Sequence, residues 1–202
     1  MYTYYSSFIT GTQNIIKNNL KDYSIKKVMD GGVLYDTNKT PQEIEKIKFF
    51  NNTFLVIQTF ENIGGDMPIE NMISTANLDN NKNFLSYIKS KKGIKTFRIF
   101  SSIENNLISV DKKILGRFEN QLEKLTKLKV EFQKKVADLE FWFLHRSEKI
   151  GFFMLRITKN KKKLEKGELR PELANILCLL SDLNEDDVFL DPFCGSGAIP
   201  LE

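Results

Sequence analysis

The sequence predicts a mixed α/β protein, with two compact modules followed by the start of a third. Its 202 residues exceed one small domain and fall short of two large ones. The composition is 41% hydrophobic and 28% charged, which is ordinary for a globular protein. Runs of strand-like and helix-like apolar spacing alternate along the chain. Since no run approaches the roughly 20 apolar residues of a membrane span and no secretory signal is readable, a cytoplasmic location is expected.

The first half of the N-terminal module reads as strand, helix and hairpin. An aromatic, β-prone run at 3–8 predicts a strand, and apolar residues at helical spacing up to Leu20 predict a helix. Two apolar runs, 25–29 and 33–35, then flank an Asp-Gly-Gly turn whose glycines accept positive φ. These two runs predict a β-hairpin.

A second helix and a fourth strand complete this module. The segment 40–43, Thr-Pro-Gln-Glu, has the spacing of a capping box, with proline at the first helical position. The apolar run 54–60 predicts the strand. The order β-α-β-β-α-β is that of a ferredoxin-like domain, which we assign to residues 1–62.

A second α/β module is expected at residues 63–158, since glycine and proline interrupt the pattern at 64–68. Two short helices, a strand, a longer amphipathic helix and two aromatic strands follow. They are predicted at 69–75, 84–91, 97–100, 111–128, 139–144 and 150–157.

Residues 159–170 predict a basic linker, because the composition there is too charged to bury. Its lysines are Lys159, Lys161, Lys162, Lys163 and Lys166. Such a run is often only a solvated connector. It can equally supply phosphate contacts to a nucleic acid, and from the residues alone both interpretations stay open.

After Pro171 the pattern predicts a helix, a short buried strand at 188–190 and a glycine loop at 191–197. Ligands of open α/β sheets bind at the carboxyl ends of strands, where this loop is expected. Two glycines separated by one residue let the main chain turn tightly and approach a nucleotide-like cofactor. No lysine follows, so a phosphate-binding P-loop is not supported.

Two segments carry a resemblance to a known family. Leu-Arg-Pro-Glu-Leu-Ala at 169–174 and Asp-Pro-Phe-Cys-Gly-Ser-Gly at 191–197 resemble the start of the adenosylmethionine-binding domain of THUMP-containing RNA methyltransferases. Residues 138–158 are similar to the closing hairpin of a THUMP domain. The resemblance therefore implies three parts: the ferredoxin-like domain, a THUMP domain at 63–158 and an incomplete Rossmann-like methyltransferase domain beginning at 171.

The resemblance also implies where S-adenosylmethionine binds. Asp191, Gly195 and Gly197 are expected against its methionine and ribose portions, and the segment before the helix is expected to close over it. The full set of expected cofactor contacts is Arg170, Pro171, Asp191, Pro192, Phe193, Cys194, Gly195, Ser196 and Gly197.

No catalytic residue is assigned. The family's acceptor-base motif, Asn or Asp followed by Pro-Pro-aromatic, does not occur here, so the chain by itself is expected to be inactive. The two cysteines and the lone His145 have no metal-site spacing, and no metal is expected.

The resemblance implies the RNA-binding portion of an enzyme that methylates guanosine N2 in tRNA, with the acceptor end of tRNA as partner. Alternatives are a 23S rRNA guanine-N2 methyltransferase and a truncated, non-catalytic RNA-binding module. Aromatic side chains that could stack on bases are Tyr4, Tyr5, Phe141 and Trp142. At period-two spacing, however, the strand aromatics are more often core.

Overall fold

The computed structural model describes residues 1–79, 82–132, 136–158, 164, 167–184, 186–195 and 197–201. Strands and helices alternate within them. In chain order they are β1 (Tyr2–Ser7), α1 (Gln13–Asn19), β2 (Ser24–Met29), β3 (Gly32–Thr37), α2 (Pro41–Ile44), β4 (Asn52–Phe60), α3 (Pro68–Thr75), α4 (Asn83–Ser90), β5 (Thr96–Ile103), β6 (Asn106–Leu107), α5 (Lys112–Thr126), β7 (Lys129–Val130), β8 (Leu139–Arg146), β9 (Ile150–Arg156) and α6 (Pro171–Ser181).

The chain forms two compact units, and the second is inserted into the first. One unit comprises Met1, Thr3–Thr53 and Ile157–Glu202, and the other comprises Tyr2 and Phe54–Arg156. The chain thus passes from the first unit to the second within β4 and returns at the end of β9. The division predicted from the sequence follows chain order and stays a prediction.

In the first unit, β3 lies between β2 and β1, and β2 pairs with β3 as the predicted antiparallel hairpin. Its core contains Tyr4 and Tyr35, with ring centroids 5.7 Å apart. The Ser6 hydroxyl lies 3.1 Å from the Tyr35 hydroxyl and donates to Thr53 Oγ1 at 3.0 Å. Burial raises the pKa of the Tyr35 phenol, so the Tyr35 hydroxyl keeps its proton at any physiological pH.

Helix α2 begins with the predicted capping box. The Thr40 backbone N–H donates to Glu43 Oε2 at 2.8 Å, and the Thr40 hydroxyl donates to the same oxygen at 2.7 Å. These bonds lower the pKa of Glu43, the hydroxyl bond most and the backbone bond next. Because the helix has only one turn, its start depends on this local chemistry.

Gly32 is the position in the first unit where a side chain has no room. A Cβ there would lie 2.6 Å from the hydroxyl oxygen of Tyr5, whose side chain is 3% exposed. We expect Gly32→Ala to lower the free energy of unfolding by about 1–3 kcal/mol, the usual effect of overpacking. In urea denaturation, Gly116→Ala is the matched control. That glycine lies in α5, where an added Cβ would have no neighbour within 4 Å. Alanine there should instead raise the free energy of unfolding by about 0.5–1 kcal/mol. Equal effects of the two changes would contradict the packing at Gly32.

The second unit has the strand order β4-β9-β8-β5-β6, with β7 also on β5. Strands β5 and β8 are parallel, whereas β8 with β9 and β4 with β9 are antiparallel. One face of this sheet is an aromatic core to which α4 and α5 contribute Phe84 and Phe118. The fully buried aromatic strand residues on this face are Phe97, Phe141, Phe143 and Phe153.

Asp138 fixes the start of the parallel pair. Its carboxylate accepts the backbone N–H groups of Lys95 at 2.8 Å and Thr96 at 2.9 Å. These bonds lower the pKa of Asp138, the Lys95 bond most. The carboxylate therefore supplies acceptors just before β5 and β8 begin to pair with each other, at Phe97 and Leu139.

The prediction of a buried strand at 188–190 is wrong. The segment has no regular structure, and Val188 is 96% and Leu190 80% exposed. Among the described residues after Pro171 there is no strand, so the backbone of this segment has no neighbouring strand to pair with. The short strands β6 and β7 were not predicted, because two residues are too few to show alternation.

Candidate cofactor loop and RNA-contacting segment

Helix α6 opens the segment in which the cofactor contacts were predicted. Arg170 stands at its N-cap with an extended backbone (φ −64°, ψ 133°), and Pro171 occupies the first helical position of the helix that was predicted to follow it. Both residues are exposed. The buried side of the helix includes Ala174 and Ile176, 0% and 1% exposed. Within the first unit α6 packs against α1, so the start of this segment rests on N-terminal residues.

The glycine loop after residue 190 is a tight turn held by its own hydrogen bonds. Asp191 Oδ1 accepts the Phe193 N–H at 3.1 Å, and the Gly197 N–H donates to the Cys194 carbonyl at 2.7 Å. Gly195 and Gly197 have φ of +52° and +78°. Both values lie in the left-handed region, which glycine adopts without strain.

The space around the two glycines is open. A Cβ on Gly195 would have its nearest neighbour, the Phe193 carbonyl oxygen, at 3.9 Å, and one on Gly197 would lie 3.8 Å from Leu201. Phe193 is 93% exposed, Pro192 and Cys194 are exposed, and Asp191 is half-buried. Glycine is therefore favoured at both positions because of the positive φ and not because a side chain would lack space.

The residues that follow the loop contact α6. The Cys178 thiol donates to the Ile199 carbonyl at 3.7 Å. Within the described residues, the hydrogen bonds of 191–201 stay inside that stretch or reach Cys178, and none reaches Arg170 or Pro171. The structure thus brings Asp191, Cys194, Gly195 and Gly197 into one turn, and it does not join the 170–171 pair to them.

Several predicted contacts lie outside the described residues. They are Lys159, Lys161, Lys162, Lys163, Lys166 and Ser196.

Two kinds of site are not found in the part of the chain that the structure describes. No group of three or more His, Cys, Asp or Glu side chains there could hold a metal ion. No helix there is long and apolar enough to cross a membrane. His145 Nε2 lies 3.1 Å from the Ile63 carbonyl oxygen, which is a structural contact.

The aromatic candidates for base stacking divide into two groups. Tyr4, Tyr5 and Phe141 are 0%, 3% and 0% exposed and belong to the cores of their units. Trp142 is half-buried and stacks on Phe100, which is also half-buried and was not predicted as a candidate. The alternation of Phe97, Arg98, Ile99 and Phe100 along β5 is the signal that could have indicated it.

Residues 159–202 match the family model of the UPF0020, RMKL-like, methyltransferase domain. Among curated proteins, none is significantly similar in sequence to the chain.

Solved structures resemble the chain over its whole length. TrmN from Thermus thermophilus has 17% identity and a TM-score of 0.70, over 100% of this chain and 60% of that one. A possible methylase from Clostridium difficile 630 has 20% identity and a TM-score of 0.64, over 99% and 54%. SMU.472, a putative methyltransferase complexed with SAH, has 15% identity and a TM-score of 0.58, over 98% and 53%.

The chain therefore spans little more than half the length of these structures, and at such identities the likeness is one of fold. Residues 159–202 are similar to a methyltransferase domain, and the chain as a whole has the mixed α/β fold of these structures.

Proposed function

We propose that this chain is the RNA-binding portion of an S-adenosylmethionine-dependent RNA methyltransferase. In the intact cytoplasmic protein, the acceptor is the N2 amine of a guanosine in tRNA. The observation that carries the proposal is the turn at 191–197, with two left-handed glycines inside the segment that matches a methyltransferase domain.

The residues of the turn suit S-adenosylmethionine. Gly195 and Gly197 leave open space beside the main chain, where a ligand can approach the backbone without meeting a Cβ. Asp191, next to them, would face the methionine and ribose portions, and Arg170 with Pro171 would close over the cofactor. When bound, the cofactor supplies a methyl group on a sulfonium centre. The protein's contribution is mainly alignment of the acceptor amine with that methyl group.

The domain arrangement belongs to the same proposal. We assign a ferredoxin-like domain to 1–62, a THUMP domain to 63–158, a linker to 159–170 and the start of a Rossmann-like methyltransferase domain to 171–202. The order of the first six elements, β1-α1-β2-β3-α2-β4, supports the first assignment.

Methyl transfer from labelled S-adenosylmethionine tests the function on the protein as its gene encodes it. The substrates are unmodified tRNA transcripts and fragments of 23S rRNA, and the modified nucleoside is identified by mass spectrometry. We expect N2-methylguanosine in tRNA. Methylation of the rRNA fragments alone would favour the ribosomal alternative. RNA binding without any transfer would leave a non-catalytic binding module.

RNA contact by the basic linker is tested by charge removal. Replacing the lysines at 161–163 with alanine should weaken tRNA binding and flatten its salt dependence by up to about three phosphate contacts' worth of slope. The matched control replaces Lys112, Lys113 and Lys124 with alanine. These lysines are exposed on α5, and their replacement removes the same amount of charge. Equal losses in both triple variants would mean that only net charge matters and would contradict a linker contact.

A further inference from the structure

The two faces of the β5–β8 strand pair differ in exposure. Phe97 on β5 and Phe141 on β8 are 0% exposed on the core face. Because side chains alternate along a strand, Arg98, Phe100 and Trp142 lie on the opposite face. Phe100 pairs in register with Trp142, and all three side chains are half-buried. An aromatic surface therefore remains partly accessible on a strand pair in the middle of this sheet.

Arg98, Phe100 and Trp142 form a short stack on this face. The rings of Phe100 and Trp142 have centroids 4.8 Å apart and an interplanar angle of 22°. The guanidinium of Arg98 lies 5.4 Å from the centroid of Phe100. Arg98 thus places a planar cation next to the aromatic pair.

The charge of Arg98 is not neutralised by the carboxylate beside it. Glu140 is its register partner on β8. That carboxylate instead accepts from Arg156 Nη1 at 2.9 Å and from the Trp142 indole N–H at 3.3 Å. Within the described part of the chain no carboxylate forms an ion pair with Arg98. The cation therefore remains available to an anionic partner.

We propose that Arg98, Phe100 and Trp142 form a stacking platform for an unpaired nucleobase of a single-stranded RNA segment, with the adjacent phosphate paired to Arg98. The inference rests on the proposed function, since it names a second RNA contact besides the basic linker. Aromatic rings and guanidinium planes are the groups on which splayed bases stack, and stacking tolerates any base. A positive charge at the end of the stack complements the RNA backbone, and the chain is basic overall, with a net charge of +4.

Trp142 makes the platform directly observable, because it is the only tryptophan of the chain. A base stacked next to it should quench its fluorescence. The probes are a single-stranded adenylate tetranucleotide, an abasic tetramer with the same phosphates and a duplex of the same sequence, each also followed by fluorescence anisotropy of a labelled strand. We expect quenching by the tetranucleotide and not by the abasic tetramer or the duplex. Equal quenching by the abasic tetramer would overturn base stacking in favour of phosphate contact alone.

Variants separate this platform from general RNA binding. Phe100→Leu retains apolar cover and removes the ring, and Arg98→Gln removes the cation. We expect each to weaken tetranucleotide binding about tenfold, within the range found for loss of one base–aromatic contact. The matched control is Phe132→Leu, at a position in the same unit that is 80% exposed, and it should change nothing. Thermal denaturation of every variant shows whether it is folded.

The outcomes also separate this inference from the proposed function. If tRNA binds the wild-type chain while the tetranucleotide neither binds nor quenches, the platform is wrong and the proposed function stands. If neither RNA binds, both fall. Quenching by an acidic peptide but not by RNA would assign the face to a protein partner and overturn the platform.

Discussion

Replacing Gly195 with valine is expected to reduce methyl transfer by about a hundredfold or more and to leave tRNA affinity unchanged. At φ +52° a β-branched residue is strained. The turn should therefore rearrange, and displacement of a positioned cofactor by about 1 Å can cost a hundredfold in rate. Transfer from labelled S-adenosylmethionine and tRNA gel shifts are measured on one preparation of the protein as its gene encodes it.

Two further substitutions show which property of Gly195 matters. Asparagine tolerates the left-handed region better than most residues, so Gly195→Asn should retain more activity than Gly195→Val. Ala198→Thr adds a branched side chain at a loop position that does not have positive φ, and it should be nearly silent. Near-normal transfer by the valine variant would contradict the assignment of the cofactor loop. Parallel loss of transfer and tRNA binding would instead indicate disturbed folding.

The largest stability effect is expected at Phe153, at the centre of the aromatic core of the second unit. Its ring is 0% exposed and lies 4.6 Å from that of Phe143 and 5.2 Å from that of Phe118, measured between centroids. Phe153→Ala should lower the free energy of unfolding by about 3–5 kcal/mol, since it leaves a cavity that fixed neighbours cannot fill.

Urea denaturation followed by Trp142 fluorescence measures this loss in the unit that contains both residues. Phe132→Ala is the control, because that side chain is 80% exposed. Its effect should stay within about 0.5 kcal/mol. A loss below about 1 kcal/mol for Phe153→Ala would show that the packing around this ring is not as tight as described.

Local chemistry explains what could be predicted of the fold. The capping box at Thr40 and the glycine turn after Asp30 depend on residues a few positions apart, and both are present. The division into two units depends on pairing between strands about a hundred residues apart, such as Phe54 with Arg156. Alternation shows that a run is a strand, but it does not identify the partner strand.

The same distinction applies to the candidate site. The tight turn at Gly195 and Gly197 could be predicted, because glycine adopts positive φ without strain, and both residues have positive φ. The partial exposure of Trp142 and Phe100 could not be predicted, because alternation separates the two faces of a sheet without showing which face the helices cover. The strand predicted at 188–190 failed for a related reason, because apolar residues form a strand only where a neighbouring strand completes the hydrogen bonds.

The stretch 54–156 of the second unit begins and ends at neighbouring strand positions. Phe54 and Arg156, its first and last residues along the continuous stretch, are paired neighbours in the β4–β9 ladder. In the host unit, the Ile157 N–H already donates to the Thr53 carbonyl at 2.9 Å, so the flanking ends are held together as well. Segments whose ends meet in this way can be gained, exchanged or circularly permuted with little disturbance of the host.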